Sequence, residues 1–232
     1  MTTQPSEHLD NTVLAALPSD AQAFLASRLL KKPVMSGEVL HEPGAPLIHV
    51  IFPHSGIVSM QGILQDGRSV ESASVGREGL VGVECMLGKD VSSYYATVAI
   101  SGQASWLTVT DLEAALDHFP DARHIMRRYC VRLMHDLMQA VACASVHSAS
   151  QRVATWLLRA EDRTCGSQFE LTQRTLANIF GLRLATISDA CGRLNGAGAI
   201  DQARGILTIV DRTRLADQSC ECYRRYANSA WV

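Results

Sequence analysis

The stretch Leu171-Thr-Gln-Arg-Thr-Leu-Ala-Asn-Ile-Phe-Gly-Leu-Arg-Leu-Ala-Thr-Ile-Ser-Asp-Ala-Cys-Gly-Arg-Leu194 decides how the rest of the chain is read. Thr172 is placed to cap a helix whose first turn starts at Gln173. Ala177 is small where two helices must cross closely, and Gly181, four residues on, can take the positive φ of a tight turn. Leu176, Phe180, Leu182, Ile187 and Ala190 fall where such a pair needs apolar packing. Two helices joined by so short a turn cross steeply, which exposes the start of the second. A plain αα-hairpin would share these features, so the next segment matters. Ile200–Val210 reads as two short strands turning at Arg204-Gly205. A helix-turn-helix followed by a β-hairpin is a winged helix, and in an Arg-rich setting it points to DNA.

Working outward, charge divides the chain. Residues 146–232 carry 11 Arg, no Lys and 8 Asp+Glu, whereas residues 1–145 carry 10 Lys+Arg against 15 Asp+Glu. The formal net charge of −2 therefore hides an acidic half and a mildly basic half. All seven prolines lie in residues 1–120, and ten of the 16 glycines lie between Gly37 and Gly102. The first half is thus turn-rich and the second helix-rich. With 232 residues, 47% of them hydrophobic, the chain suits one large domain or two modest ones and is too apolar to be disordered. No apolar run approaches the ~20 residues of a membrane span. The opening MTTQPSEHLD lacks the basic-then-apolar pattern of a signal peptide. Seven scattered cysteines, an odd number, argue against a secreted disulfide scaffold and lead us to expect a reducing cytoplasm.

Residues 9–31 read as short helices with a break at Pro18-Ser19. From Val34 to Val109, short β-branched runs (VLHEPG, LIHVIFPHSG, IVSMQGILQDG, SVESASVG, YATVAISG, ASWLTV) alternate with turn residues, the pattern of an antiparallel sandwich or β-roll. Thr110-Asp111-Leu112-Glu113 resembles a helix start with Glu113 at the capping-box position. From Asp121 to about Ser145 a helical pattern runs without Pro or Gly, and Met126, Cys130, Leu133, Leu137, Ala140 and Ala144 form a heptad-spaced seam. That seam suits either packing on its own domain or pairing with a second copy, and we expect the pairing. Ser145–Ser150 (SVHSAS) makes a hinge, after which Val153, Trp156, Leu157 and Ala160 line one face of another helix.

In this order the elements resemble the Crp–Fnr family of bacterial transcription regulators. Gly37-Glu-Val-Leu-His-Glu-Pro-Gly44 resembles the opening of the family's cyclic-nucleotide-binding-type β-roll, and Ile51-Phe-Pro-His-Ser-Gly-Ile-Val58 the strand pair after it. Val75-Gly-Arg-Glu-Gly-Leu-Val-Gly-Val-Glu84 resembles the turn leading into the phosphate-binding cassette. The seam helix is similar to the family's dimerisation helix, and the winged helix closes the match. The resemblance implies an α+β chain: a β-roll sensor domain over 1–120, a dimerisation helix and hinge over 121–148, and a winged-helix DNA-binding domain over 149–232. It implies a homodimer that reads two half-sites with one helix per subunit. The partners would be operator DNA and a second copy, with RNA polymerase a further candidate and no membrane. FPHSG, VGREGLVG and the terminal SCECY suggest a divergent branch rather than the cyclic-AMP-responsive one.

The departures shape the expected ligands. In the cyclic-AMP branch a Gly-Glu pair and a following Arg-Ser pair hold the nucleotide, the Glu on the ribose and the Arg on the cyclic phosphate. Here Glu84 matches the Glu, but Tyr94 and Tyr95 stand at the Arg-Ser positions, and no Arg lies between Arg77 and Arg123. A phosphate there would lose its hydration without gaining a cation, so cyclic AMP is not expected. Glu84, Tyr94 and Tyr95 remain the candidate effector pocket, suited to a flatter uncharged ligand or simply packed as strand aromatics. The first 84 residues hold no Cys, so the iron–sulfur cluster of the oxygen-sensing branch is not expected. No His is singled out as an axial haem ligand. Cys220-Glu221-Cys222 is the tightest cysteine pair. On a helix the two would point to different faces, a poor chelate; on an extended tail they could bind metal or oxidise. No cofactor and no metal site is assigned.

The family's commonest base readers, an Arg, a Glu and a second Arg, fall on Leu184, Ala185 and Asp189. Arg183 then becomes the leading contact, with Thr186, Ser188, Asp189 and Arg193 as further polar candidates. Thr172, Gln173 and Arg174 at the preceding helix start suit backbone phosphates, and Arg204 sits on the wing. The operator should therefore differ from that of the cyclic-AMP branch. Two other readings compete. A cupin-like metal-dependent enzyme would use His41, His49 and His54 in the roll, but the close His-x-His pair of such sites does not occur. A sensor or scaffold that had lost DNA binding would keep only the dimer. No Ser-His-Asp arrangement, phosphate loop or dinucleotide fingerprint is present, so catalysis is not expected.

Overall fold

The turn-bounded runs of the first half pair into antiparallel strands, as their spacing predicts. The computed structural model describes residues 10–164 and 166–228, so Leu9 of the first helical segment and Cys165 lie outside the described residues. These residues divide into two compact units, 10–60 with 74–133 and 61–73 with 134–228.

The first unit opens with α1 (Thr12–Ala16) and α2 (Ser19–Ala26), separated at the expected Pro18-Ser19 break. Buried Asn11 caps α1 and ties it inward, its Nδ2 donating to the carbonyls of Pro53 and Gly79, each at 2.8 Å. Strands β1 (Leu30–Val34), β2 (Val39–His41), β3 (His49–Pro53), β4 (Ile57–Ile63), β5 (Ser69–Val75), β6 (Tyr95–Ile100) and β7 (Gly102–Thr108) follow. They form a three-stranded sheet in the order β1-β7-β3 and a four-stranded one in the order β2-β6-β4-β5. Val50, Ile51, Phe52, Leu80, Val98 and Leu107 are fully buried and make the roll's core. Apolar burial of this kind stabilises the roll by roughly 25 cal/mol per Å².

Two boundaries differ from expectation. The helical segment stops before Leu30, and Leu30–Lys32 instead pair with Trp106–Ala104. Pro33 would break a helix there but is tolerated on the edge strand β1, and Lys32 lies 3.6 Å over the Trp106 ring. Helix α3 (Val109–His118) begins two residues earlier than expected. Its cap is Thr108, whose Oγ1 accepts from Asp111 N at 3.0 Å, so Asp111 rather than Glu113 takes the reciprocal position.

Helix α4 (Pro120–Val146) runs for 27 residues and α5 (Ala149–Thr164) for 16. The hinge shrinks to His147-Ser148, where Ser148 Oγ accepts from Gln151 N at 3.4 Å and starts α5. Burial divides the seam. Met126 is 1% exposed and Leu133 8%, so both are already packed within the protomer. Cys130, Leu137 and Ala140 are half-buried and Ala144 is exposed. The apolar row left in the open is Val131, Met134, Met138 and Val141, itself spaced by three and four. The heptad period was legible, but two apolar rows share it and only one can face inward.

In the second unit, β8 (Gln168–Glu170) precedes α6 (Gln173–Phe180), α7 (Leu184–Gly196), β9 (Ile200–Ala203), β10 (Ile206–Ile209), α8 (Arg212–Gln218) and α9 (Cys222–Asn228). Strand β8, too short to show a period, went unread in the sequence. It closes a sheet in the order β8-β10-β9, with Phe169 opposite Leu207. Val153, Trp156, Leu157 and Ala160 of α5 are buried, as are Leu176, Leu194 and Leu207. Arg212 pairs with Glu161 and Asp162 and donates to Tyr223 Oη at 2.6 Å, fastening α8 to α5 and α9. Among the described residues no helix is long and apolar enough to cross a membrane.

Candidate nucleic-acid interface and effector pocket

The helix-turn-helix takes the geometry its residue types demand. Thr172 caps α6, its Oγ1 accepting from Thr175 N at 3.1 Å. Gly181 ends α6 with φ at 63°, the left-handed conformation that a side chain disfavours. Two residues later Arg183, in extended conformation, is the N-cap of α7, without a side-chain capping bond. Its guanidinium is thus not committed to the helix end. Arg183, Leu184, Ala185, Thr186, Ser188 and Asp189 are all exposed, while Ile187, Ala190, Cys191 and Leu194 are buried. The second helix therefore presents its first turns and buries the opposite face. Phe180 and Leu182 are only half-buried, and Ile179 takes the inner position expected of Phe180. Arg152 lies over the Phe180 ring at 5.2 Å.

The remaining DNA-binding candidates separate by environment. Arg174 and Arg193 are exposed. Gln173 is turned toward the wing, its Nε2 donating to Gln202 Oε1 at 2.8 Å, so it braces the wing against α6. Arg204 and Gly205 both have positive φ, 51° and 82°, between Ala203 and Ile206. That is the two-residue turn favoured by the twist of paired strands, and it thrusts Arg204 outward. Leu184, which offers no hydrogen bond, is 46% exposed at the helix start.

In the roll, Gly82, Glu84 and Tyr94 do come together. Glu84 lies in a 3-10 turn (Val83–Leu87) and accepts from Ser93 N at 3.1 Å. The Gly82 N–H donates to the Tyr94 phenol oxygen at 3.3 Å. Burial chiefly, then the charge of Glu84, pushes the Tyr94 phenol well above the usual tyrosine range, so it stays neutral. The pocket is therefore filled by a protonated phenol beside a carboxylate. Tyr95, the first residue of β6, is half-buried. His41 Nε2 contacts the His49 carbonyl at 3.1 Å, and burial holds its imidazole below the ordinary histidine pKa. The His49 ring meets Trp106 edge-on with centroids 5.6 Å apart, and His54 Nε2 bonds Ser105 Oγ at 2.7 Å. The three roll histidines thus have separate local partners.

Comparison with known proteins agrees with this architecture. Residues 151–218 match the Crp-like helix-turn-helix domain. No curated protein matches this chain at the sequence level. Among solved structures, FixK2 from Bradyrhizobium japonicum is similar over 83% of this chain and 98% of its own, with a TM-score of 0.70 and 19% identity. A CRP-family transcriptional regulator from Thermus thermophilus is similar over 81% and 96%, with a TM-score of 0.69 and 19% identity. A second regulator from that organism, of the CRP/FNR family, gives 82% and 98% coverage, a TM-score of 0.65 and 17% identity. At such identities the likeness speaks to the fold.

Proposed function

We propose that this chain, whose residues 151–218 are a Crp-like helix-turn-helix domain on the Crp/Fnr transcription-regulator fold, acts as a homodimer that binds operator DNA and responds to a signal received by its roll. The observation that carries the reading is the exposed start of α7, with Arg183 at its N-cap and the polar and apolar base-contacting types Thr186, Ser188 and Leu184 beside it. Phosphate contacts from Arg174 and Arg204 would fix the register while α7 reads the major groove. The dimer is supported by the open row Val131, Met134, Met138 and Val141 on α4. A continuous apolar stripe of this length is what a pairing helix buries. No cyclic nucleotide is assigned as the signal, because Tyr94 occupies the place of the phosphate-gripping Arg.

The test begins with mapping the DNA bound in native cells. Purified protein is then examined by sedimentation and by fluorescence anisotropy on the recovered sequence at several salt concentrations. The reading expects a dimer and an affinity that falls steeply with salt. A monomer at micromolar concentration, or salt-insensitive binding, sinks it.

A further inference from the structure

Four side chains that the DNA-binding reading does not use converge in the second unit. Cys143 in the last turn of α4 and His147 just after it lie four residues apart, and His147 N donates to the Cys143 carbonyl, which keeps the two on one face. Cys220 is in the link after α8, and Cys222 opens α9. The cysteine pair is therefore neither a helical i, i+2 pair nor an exposed tail. The chain turns at Glu221, and both sulfurs point inward, Cys220 at 4% exposure and Cys222 at 1%. One ligand atom from each of the four residues lies within 4.8 Å of all the others.

The spacing is that of ligands around one ion. Zn–S bonds of about 2.3 Å and Zn–N bonds of about 2.0–2.1 Å, at tetrahedral angles, set ligand atoms roughly 3.5–3.8 Å apart. Cys143 Sγ and Cys220 Sγ are 3.6 Å apart, and Cys222 Sγ is 3.6 Å from His147 Nδ1. The surrounding groups complete the pattern. His147 Nε2 lies 3.2 Å from Glu221 Oε2, so the Nε2–H donates to the carboxylate and the Nδ1 lone pair is left facing the sulfurs. Gln139 Nε2 donates to Cys222 Sγ at 3.1 Å, and Thr155 Oγ1 is 3.1 Å from Cys220 Sγ. Donors aimed at sulfur suit thiolates. A disulfide would use two of the three sulfurs and leave the third thiol and the imidazole unexplained. An iron–sulfur cluster interposes bridged irons and would hold its ligands farther apart than this.

We propose that Cys143, His147, Cys220 and Cys222 form a closed Cys3His zinc site that staples the C-terminal segment to the end of α4. Four protein ligands leave no open coordination position, the mark of a structural rather than a catalytic zinc. Because the site bridges the last turn of α4, Thr155 of α5 and the start of α9, the ion holds the hinge at His147-Ser148 in one geometry. Loading the site displaces thiol protons to solvent and involves no electron transfer.

The test uses the full chain, purified with reductant and without chelator, and measures metal by plasma mass spectrometry. About one zinc per chain is expected, falling below a tenth of that in Cys220→Ser and Cys222→Ser but not in Cys85→Ser, whose thiol lies in the roll. Where the serine variants do not fold, reduced wild-type apoprotein titrated with Co2+ decides. Thiolate-to-cobalt charge-transfer and tetrahedral d–d bands saturating at about one equivalent, displaced by Zn2+, support the site. Reduced protein that neither carries zinc nor takes up Co2+ overturns it. So does a Cys143–Cys220 disulfide in the non-reduced peptide map of freshly isolated protein, or bound iron with inorganic sulfide.

Discussion

The Gly82 backbone N–H donates to the phenol of Tyr94 at 3.3 Å, so an aromatic side chain fills the place where the resemblance would put a cyclic phosphate. Beside it stands Glu84, whose charge would repel a phosphate and whose Oε2 is buried without a hydrogen-bond partner. Calorimetry with cyclic AMP and cyclic GMP is therefore expected to show no saturable binding up to millimolar ligand. Micromolar affinity for either would mean that another cation compensates the phosphate. Tyr94→Phe removes the acceptor of the Gly82 N–H and should lower stability by about 1 kcal/mol in denaturant unfolding.

The two apolar rows of α4 make opposite predictions. Leu133, 8% exposed, contributes to the protomer's own packing, so Leu133→Ala should cost about 2–5 kcal/mol of stability. Met138, 66% exposed, should matter to pairing: Met138→Asp is expected to leave the folded protomer intact and shift sedimentation toward monomer. A dimeric Met138→Asp protein would place the pairing surface elsewhere.

Arg183 is the N-cap of α7 and, in the proposed complex, the first cation α7 would offer to the groove. Arg183→Ala should weaken operator binding by about 1–3 kcal/mol, with relaxed preference at one base pair per half-site if the guanidinium forks onto guanine. If it touches only phosphate, the loss is uniform across sequences and the salt slope becomes shallower by about one. Undiminished binding on every sequence would pass the role to Arg193 or Arg204.

Leu184→Ala isolates a different contact. The exposed isobutyl group is expected to prefer thymine at one position, so the variant should lose affinity for the native site but not for a uracil-substituted one lacking the methyl. Equal losses on both would assign Leu184 to packing.

Arg204, the one non-glycine residue at positive φ among the described residues, holds a conformation that costs roughly 1–2 kcal/mol. Arg204→Asn fits the turn better and should raise the unfolding midpoint, while its lost charge weakens DNA binding with a shallower salt slope. A stabilised variant with unchanged DNA affinity would mean that the wing stays clear of the phosphates.

Much of the winged-helix unit was legible because its signals are local. Thr172 as a cap, Gly181 at positive φ and Arg204-Gly205 as a two-residue turn each depend on a few neighbouring residues, and each appears where its residue type requires it. Strand β8 was not legible: three residues carry no period, and Phe169 becomes a strand residue only because Leu207 lies opposite. The start of α3 was misplaced because Thr108 and Thr110 are both acceptable caps, and the end of β7 favours the first.

The sequence by itself determined the succession of roll, long helix and winged helix and the start of α7 as the presented surface, through periodicity, caps and turns that act over a few residues. Tertiary structure alone decided which row of α4 faces inward, because both rows share one heptad period and only the packing around the helix distinguishes them. It alone brought Cys143 to Cys220 across 77 positions. No local signal encodes that approach, since it follows from where α5, α8 and α9 pack around the end of α4.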